Sequence, residues 1–221
     1  MRLLVIDTSG PACTAAVAGE NGSRFILSEP MARGHGERLF GLIEAVMLEA
    51  RLAFSDLQRI AVTTGPGSFT GVRIGVAAAR GLALASKVPL IGLTSLAVHA
   101  QAGREKSGGR PILALIRARE NEAFGQMFGP SLAPLGPPSV AVFDLWAEMA
   151  HKSGAILAGS AAPDIALLMG PDGAALVLHD HAWVDPQSLL SLALAAKASE
   201  GPVRPLYLKP PDAVPRTSAQ P

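Results

Sequence analysis

Arg59-Ile-Ala-Val-Thr-Thr-Gly-Pro-Gly-Ser-Phe-Thr-Gly-Val-Arg-Ile-Gly75 reads as a short apolar strand, a glycine-proline turn and the start of a helix. Gly65, Gly67 and Gly71 stand where bulky side chains would obstruct a tight strand-to-helix turn. Glycine serves where backbone bends to positive φ or approaches a neighbour closely. The helix is expected from Ser68 to about Ser86. Gly71, Gly75 and Ala79 recur at every fourth position and so share one face. A second helix can therefore lie very close to it.

The glycines invite three chemical readings, and each can be tested on spacing. A dinucleotide fingerprint needs an acidic residue about 20 positions on, to hold a ribose hydroxyl. Between Asp56 and Glu105 there is no Asp or Glu. A Walker loop needs Lys followed by Ser or Thr after the glycines, and none follows. A serine nucleophile elbow needs the second glycine two residues after Ser68, but Gly71 comes one residue late. A tight turn with close helix packing accounts for the glycines. It accounts less well for Ser68, Phe69, Thr70 and Arg73.

The 221 residues allow one large domain or two small ones with a real core. Hydrophobic residues make up 49% and charged residues 17%, which excludes a disordered chain. A net charge of +1 gives no global field to attract nucleic acid, although a local patch is compatible with it. Arg73, Arg80, Lys87 and Arg104 could form a positive strip, or simply a solvated helix face. The lone Cys13 excludes an internal disulfide and reads as a small half-buried packing residue. The apolar start Leu3–Ile6 is too short for a signal peptide's core, and Arg80 interrupts the run from Val72 to Leu84. The expectation is a cytoplasmic protein with no membrane partner.

Outward from the central stretch, Leu3–Ile6 reads as a buried strand leading into the turn Asp7-Thr-Ser-Gly10. Strands at Cys13–Gly19 and Arg24–Ser28 flank Asn21-Gly22, a strong hairpin signal. Leu39, Leu42, Ile43, Val46, Met47 and Ala50 follow the amphipathic period of a helix that starts after Gly34, and Phe40 and Leu48 widen its apolar surface. Val88–Leu93 reads as a strand, with Thr94 or Ser95 capping the next helix. Glycine-rich 103–110 is the expected boundary between two lobes. Beyond it come a hairpin (Pro111–Arg117 with Ala123–Phe128), a proline-rich loop 129–138, helices at Phe143–Lys152 and Pro186–Ser199, and strands at Ala155–Ala158 and Ala174–Leu178. His179-Asp-His181 reads as a surface loop. The expected division is 1–103, 104–208 and a proline-rich tail, 209–221.

Among chemistry-bearing residues, His35 has no second histidine one turn on, because Leu39 occupies that position, so no metal site is expected there. It reads instead as a capping or partner-contact residue. Asp7 fits either a base or metal ligand at a strand end, or a turn-forming Asx residue.

Strand, Asp-Thr turn and three-stranded meander together resemble the opening of the sugar kinase, heat-shock and actin superfamily. In that superfamily this turn, here Asp7, Thr8 and Ser9, wraps a nucleotide phosphate. Arg2–Thr8, the Gly34-His-Gly-Glu37 helix start, Gly65–Gly75, Gly81-Leu-Ala83 and Pro205-Leu-Tyr-Leu-Lys209 resemble the TsaB (YeaZ) family, strongly over residues 1 to about 100. The resemblance implies an α/β, two-lobed actin/hexokinase/Hsp70-like fold with a degenerate C-terminal lobe. It implies a non-catalytic scaffold for the tRNA threonylcarbamoyladenosine machinery, paired through two N-lobe helices with a TsaD-like transferase and joined by a TsaE-like ATPase. The relative TsaD binds metal through a His-x-x-x-His helix, whose second His is replaced here by Leu39. One departure stands out: Ile116-Arg-Ala-Arg119 has Arg117 where the family often has Asp.

From these readings the interface residues are expected to be His35, Leu39, Leu42, Ile43, Val46, Gly71, Arg73, Gly75, Ala78, Ala79 and Leu82. The same face is expected to hold a homodimer when the chain is alone. No cofactor is expected on this chain by itself, with ATP or ADP entering at the level of the complex and tRNA reached through it. The alternatives are an autonomous ATP-dependent transferase using Asp7, Thr8 and Ser9 and, last, a peptidase of the M22 glycoprotease-like kind.

Overall fold

The computed structural model describes residues 1–209. Apart from Lys209, the expected proline-rich tail lies outside the described residues. Two five-stranded sheets carry the architecture. The first contains β1 (Leu3–Gly10), β2 (Ala12–Ala18), β3 (Arg24–Pro30), β4 (Arg59–Thr63) and β5 (Leu90–Leu93), in the order β3-β2-β1-β4-β5. The second contains β6 (Ile112–Arg119), β7 (Glu122–Phe128), β8 (Ser139–Val142), β9 (Ile156–Ala158) and β10 (Val177–His179), in the order β10-β9-β6-β7-β8. In each, the first three strands form an antiparallel meander and the last two run parallel to the first. The two lobes therefore repeat one topology. The second is the reduced copy, with its last two strands only three residues each.

β1 is buried on both faces, which explains its unbroken apolar run rather than an alternating one. Leu4 and Ile6 point to one side, with Cys13, Ala15 and Val17 of β2. There α1 (His35–Glu49) and α2 (Phe69–Ser86) cover the sheet. Leu3 and Val5 point to the other side, against Val184, Leu189, Leu190 and Ala193 from α6 (Pro186–Ala195) and its lead-in. The second sheet is covered on one face by α4 (Phe143–Ser153) and α5 (Ala162–Leu168), and on the other by α3 (Ser95–Gly103). Thr94 caps α3 by accepting from the Ala97 N–H at 3.1 Å. Asp185 caps α6 in the same way from Ser188 at 2.8 Å, with Pro186 at its first turn.

One expectation is corrected by this packing. Residues 104–208 do not form one lobe. The chain leaves the second sheet after His179, and α6 buries its leucines on the first. Val203 joins the core beneath α1 and α2, and the Leu206 N–H donates to the Thr64 carbonyl at 2.8 Å. Tertiary burial, not sequence position, assigns this segment to the first lobe.

Two local differences also follow from packing. The stretch 139–142, unassigned from sequence, is edge strand β8, held by pairing to β7. His179 is no surface loop residue: it ends β10 and stacks on His99 of α3, ring centroids 5.3 Å apart.

Candidate functional site

Asp7-Thr-Ser-Gly10, read as a turn from the sequence, continues β1, and the end of this strand is closed by the chain itself. Thr8 Oγ1 donates to the Gly71 carbonyl at 2.7 Å, and the Ser68 N–H donates to the Ser9 carbonyl at 2.7 Å. A Cβ on Gly71 would lie 2.0 Å from the Thr8 carbonyl oxygen, and one on Gly75 2.5 Å from Thr8 Oγ1. These contacts explain why α2 begins with small residues: only they let the helix settle on the end of β1. Asp7, Thr8 and Ser9 are buried, and their polar groups are largely consumed inside. Asp7 Oδ1 accepts from the Ser9 N–H at 3.0 Å, from Ser9 Oγ at 2.6 Å and from Thr63 Oγ1. Ser95 Oγ donates to Ser9 Oγ at 3.0 Å. The side chains that the phosphate reading assigned, Asp7, Thr8 and Ser9, are thus engaged with Thr63, Gly71, Ser95 and one another.

Asp7 Oδ2 has no partner and is buried. Burial pushes the Asp7 carboxyl above its ordinary range, against the hydrogen bonds from Ser9 and Thr63 that pull it down. Burial likewise raises the Cys13 thiol to about 11, with the nearby Asp7 and Glu29 carboxylates adding to the rise. This is a packing cysteine rather than a nucleophile.

The small-residue stripe thus faces β1, not a partner helix. Gly71, Gly75 and Ala79 are buried within the chain, as are Leu39, Leu42, Ile43 and Val46 of α1. His35 is buried too, its Nε2 3.1 Å from the Gly10 carbonyl oxygen. These eight residues, expected at an interface, are core within this chain. Amphipathic periodicity marks the buried face of a helix, and the sheet below had the first claim on it.

What the two helices turn outward is a different set. Phe40 is 51% exposed, Leu48 80% and Leu84 81%, while Ala78 and Leu82 are half-buried and Gly81 opens onto empty space. Both helices start at one end of the lobe, since a Cβ on Gly36 would lie 3.6 Å from Ile74 Cδ1. Arg73 is exposed at the edge of this face. Its guanidinium lies 3.8 Å over the Phe69 ring, and its Nε donates to Tyr207 Oη at 2.7 Å. Phe40 and Leu48 were visible in the sequence as a widening of the apolar stripe. Thr63 and Ser95, the partners of Asp7 and Ser9, left no local signal.

Among the described residues, no group of three or more His, Cys, Asp or Glu could hold a metal ion, and no helix is long and apolar enough to cross a membrane.

Two lobes of one repeated topology define an α/β protein of the actin/hexokinase/Hsp70-like class. Residues 26–130 match a family model described as TsaD, tRNA N6-adenosine threonylcarbamoyltransferase. The chain is 37% identical over 124 residues to tRNA threonylcarbamoyladenosine biosynthesis protein TsaB of Escherichia coli (strain K12), covering 56% of this chain. The match spans about half the length of that curated relative, 53%. A crystal structure of an uncharacterized protein with similarity to peptidase YEAZ from Pseudomonas aeruginosa superposes with TM-score 0.78 at 27% identity, covering 94% of this chain and 99% of that one. YeaZ from Pseudomonas aeruginosa superposes with TM-score 0.59 at 31% identity, covering 65% and 68%. The chain belongs to the TsaB (YeaZ) family.

Proposed function

We propose that the chain is a non-catalytic partner subunit in the making of N6-threonylcarbamoyladenosine on tRNA. It holds a TsaD-like transferase through the outer face of α1 and α2, and a TsaE-like ATPase joins the pair. The observation that carries this reading is the apolar outer face itself. Phe40, Leu48 and Leu84 project from two adjacent helices into solvent. The name of the Escherichia coli relative, a tRNA threonylcarbamoyladenosine biosynthesis protein, supplies the pathway. Packing two such helices on an equivalent pair gives a four-helix contact, and a second copy of this chain uses the same face when the transferase is absent. Neither ATP nor ADP is held by this chain alone; either acts at the level of the complex.

Co-expression with a TsaD-like protein tests the reading. The wild-type chain is expected to co-purify with it and to be required for modification of tRNA. The double variant Leu48→Glu/Leu84→Glu is expected to stay folded, because both side chains are four-fifths exposed, and to lose at least about tenfold in affinity, since exposed anchors at interface centres are each worth 1–2 kcal/mol or more. A double variant that is folded and still binds as tightly would sink the assignment of this face.

A further inference from the structure

A cleft of about 620 Å³ opens between the lobes. Its first wall is the loop from β4 into α2, Pro66–Phe69; the opposite wall is the end of β6, and the C-terminal segment Leu206–Lys209 crosses it. Three cations line it, Arg117, Arg119 and Lys209, and among the described residues no carboxylate does. Two of them are paired with acids outside the lining. Arg117 pairs with Asp164 and donates to the Glu120 carbonyl at 3.4 Å, and Lys209 pairs with Glu122. Such pairing holds the cations in place while a guanidinium with five N–H donors keeps others to offer.

The rim adds aromatic surface. Phe69 is 40% exposed and Tyr207 47%, with centroids 5.3 Å apart and planes inclined by 40°. Arg73 fixes both, lying on the Phe69 ring and donating to the Tyr207 hydroxyl. Rings held open to solvent beside a cluster of cations suit a ligand that carries both an anion and a flat face. An apolar ligand would strip water from three charged side chains and give them nothing in return. Duplex nucleic acid keeps its bases stacked inside and could not use the rings. A single-stranded segment offers a phosphate and an unstacked base together.

We infer that this cleft binds an unpaired nucleotide of a single-stranded RNA segment, its phosphate at Arg117, Arg119 and Lys209 and its base on the ring of Tyr207. The inference rests on the tRNA reading above and assigns this chain a direct contact with the RNA. Arg117 then has a use that an aspartate at the same place could not have.

Fluorescence anisotropy with a labelled anticodon stem-loop RNA tests it, on the full chain alone and on its complex with the TsaD-like partner. Tyr207→Ala is expected to weaken binding at least about fivefold, the lower bound for one stacked base, while Tyr207→Phe stays near wild type. Arg117→Ala/Arg119→Ala is expected to weaken it about tenfold or more and to lower the salt slope by about one phosphate contact. Lys106→Ala, outside the cleft lining, should change nothing. Circular dichroism and melting curves confirm that each variant is folded, and the exposed Tyr207 serves if the arginine pair fails to fold. The inference is overturned if the wild type binds no stem-loop, if cleft variants bind as well as wild type, or if a fully paired RNA hairpin competes equally. It is also overturned if ADP binds while the stem-loop does not, which would make the ligand a free nucleotide. A chain that co-purifies with its partner yet binds no stem-loop, alone or in the complex, overturns the cleft and leaves the partner reading standing. A chain that binds RNA through the cleft but co-purifies with nothing does the reverse.

Discussion

Asp7 and His99 are buried titratable groups whose shifts act on stability with opposite sign. Burial raises the folded pKa of Asp7 above its ordinary 3.8. The folded chain therefore holds the proton more tightly than the unfolded one, and this contribution is present at low pH and lost as pH rises through the raised value. His99 is depressed from 6.5 to about 3, first by burial and then by the adjacent His179 and His181. Its contribution is complete above pH 6.5 and is lost as pH falls from there towards 3. His179, stacked between His99 and His181, is lowered chiefly by burial and acts in the same direction. The two effects oppose each other across the acid range. His99→Gln is expected to flatten the fall in melting temperature between pH 6.5 and 4. Asp7→Asn is expected to steepen it, and melting curves at several pH values read both. An unchanged pH profile in either variant would show that its group does not titrate on unfolding. None of this was legible beforehand. Asp7 was visible as a turn residue, but Thr63 lies 56 positions away, and Ser95, which joins the same network, lies 86 from Ser9.

Helices α1 and α2 show what a sequence pattern does and does not say about an element. The glycine-spaced face of α2 was legible, and so was its close packing. The identity of the neighbour was not, because spacing alone cannot tell a partner helix from the end of a strand in the same chain. The structure answers with β1, and this changes what a substitution means. Gly75→Leu is expected to abolish partner binding only by unseating α2, since its side chain would collide with Thr8, and overpacking of this kind costs roughly 1–3 kcal/mol or more. Its melting temperature should drop by roughly 2–4 °C per kcal/mol, whereas Leu48→Glu/Leu84→Glu should melt near wild type. If Gly75→Leu melts like wild type, the packing of α2 on β1 is misread. Capping residues and the Asn21-Gly22 hairpin were readable because their chemistry is local: Asn21 adopts φ 59 in the turn between β2 and β3. Edge strand β8 was not readable, because only pairing to β7 makes those four residues a strand.

At the scale of the whole molecule, the repeated strand order was foreseeable only through resemblance, since the two halves share no visible sequence repeat. The return of the chain to the first lobe was not foreseeable at all, because the apolar pattern of α6 names no particular sheet. Val184, Leu189 and Leu190 are fully or almost fully buried against it. At 1.5–3 kcal/mol each, these side chains contribute about 4–9 kcal/mol before entropy is counted, as much as a domain's whole net stability. A chain stopped after Asp180 is therefore expected to lose cooperative melting and to bind a hydrophobic dye; a sharp transition in that truncation would count against the assignment of α6. The same return sets a clock on biosynthesis. Roughly 100 residues separate the end of β5 from the end of α6, so at 5–20 residues per second the ribosome needs about 5–20 s to deliver the cover for the far face of the first sheet. During that interval Leu3, Val5 and Ile91 wait without the cover of α6.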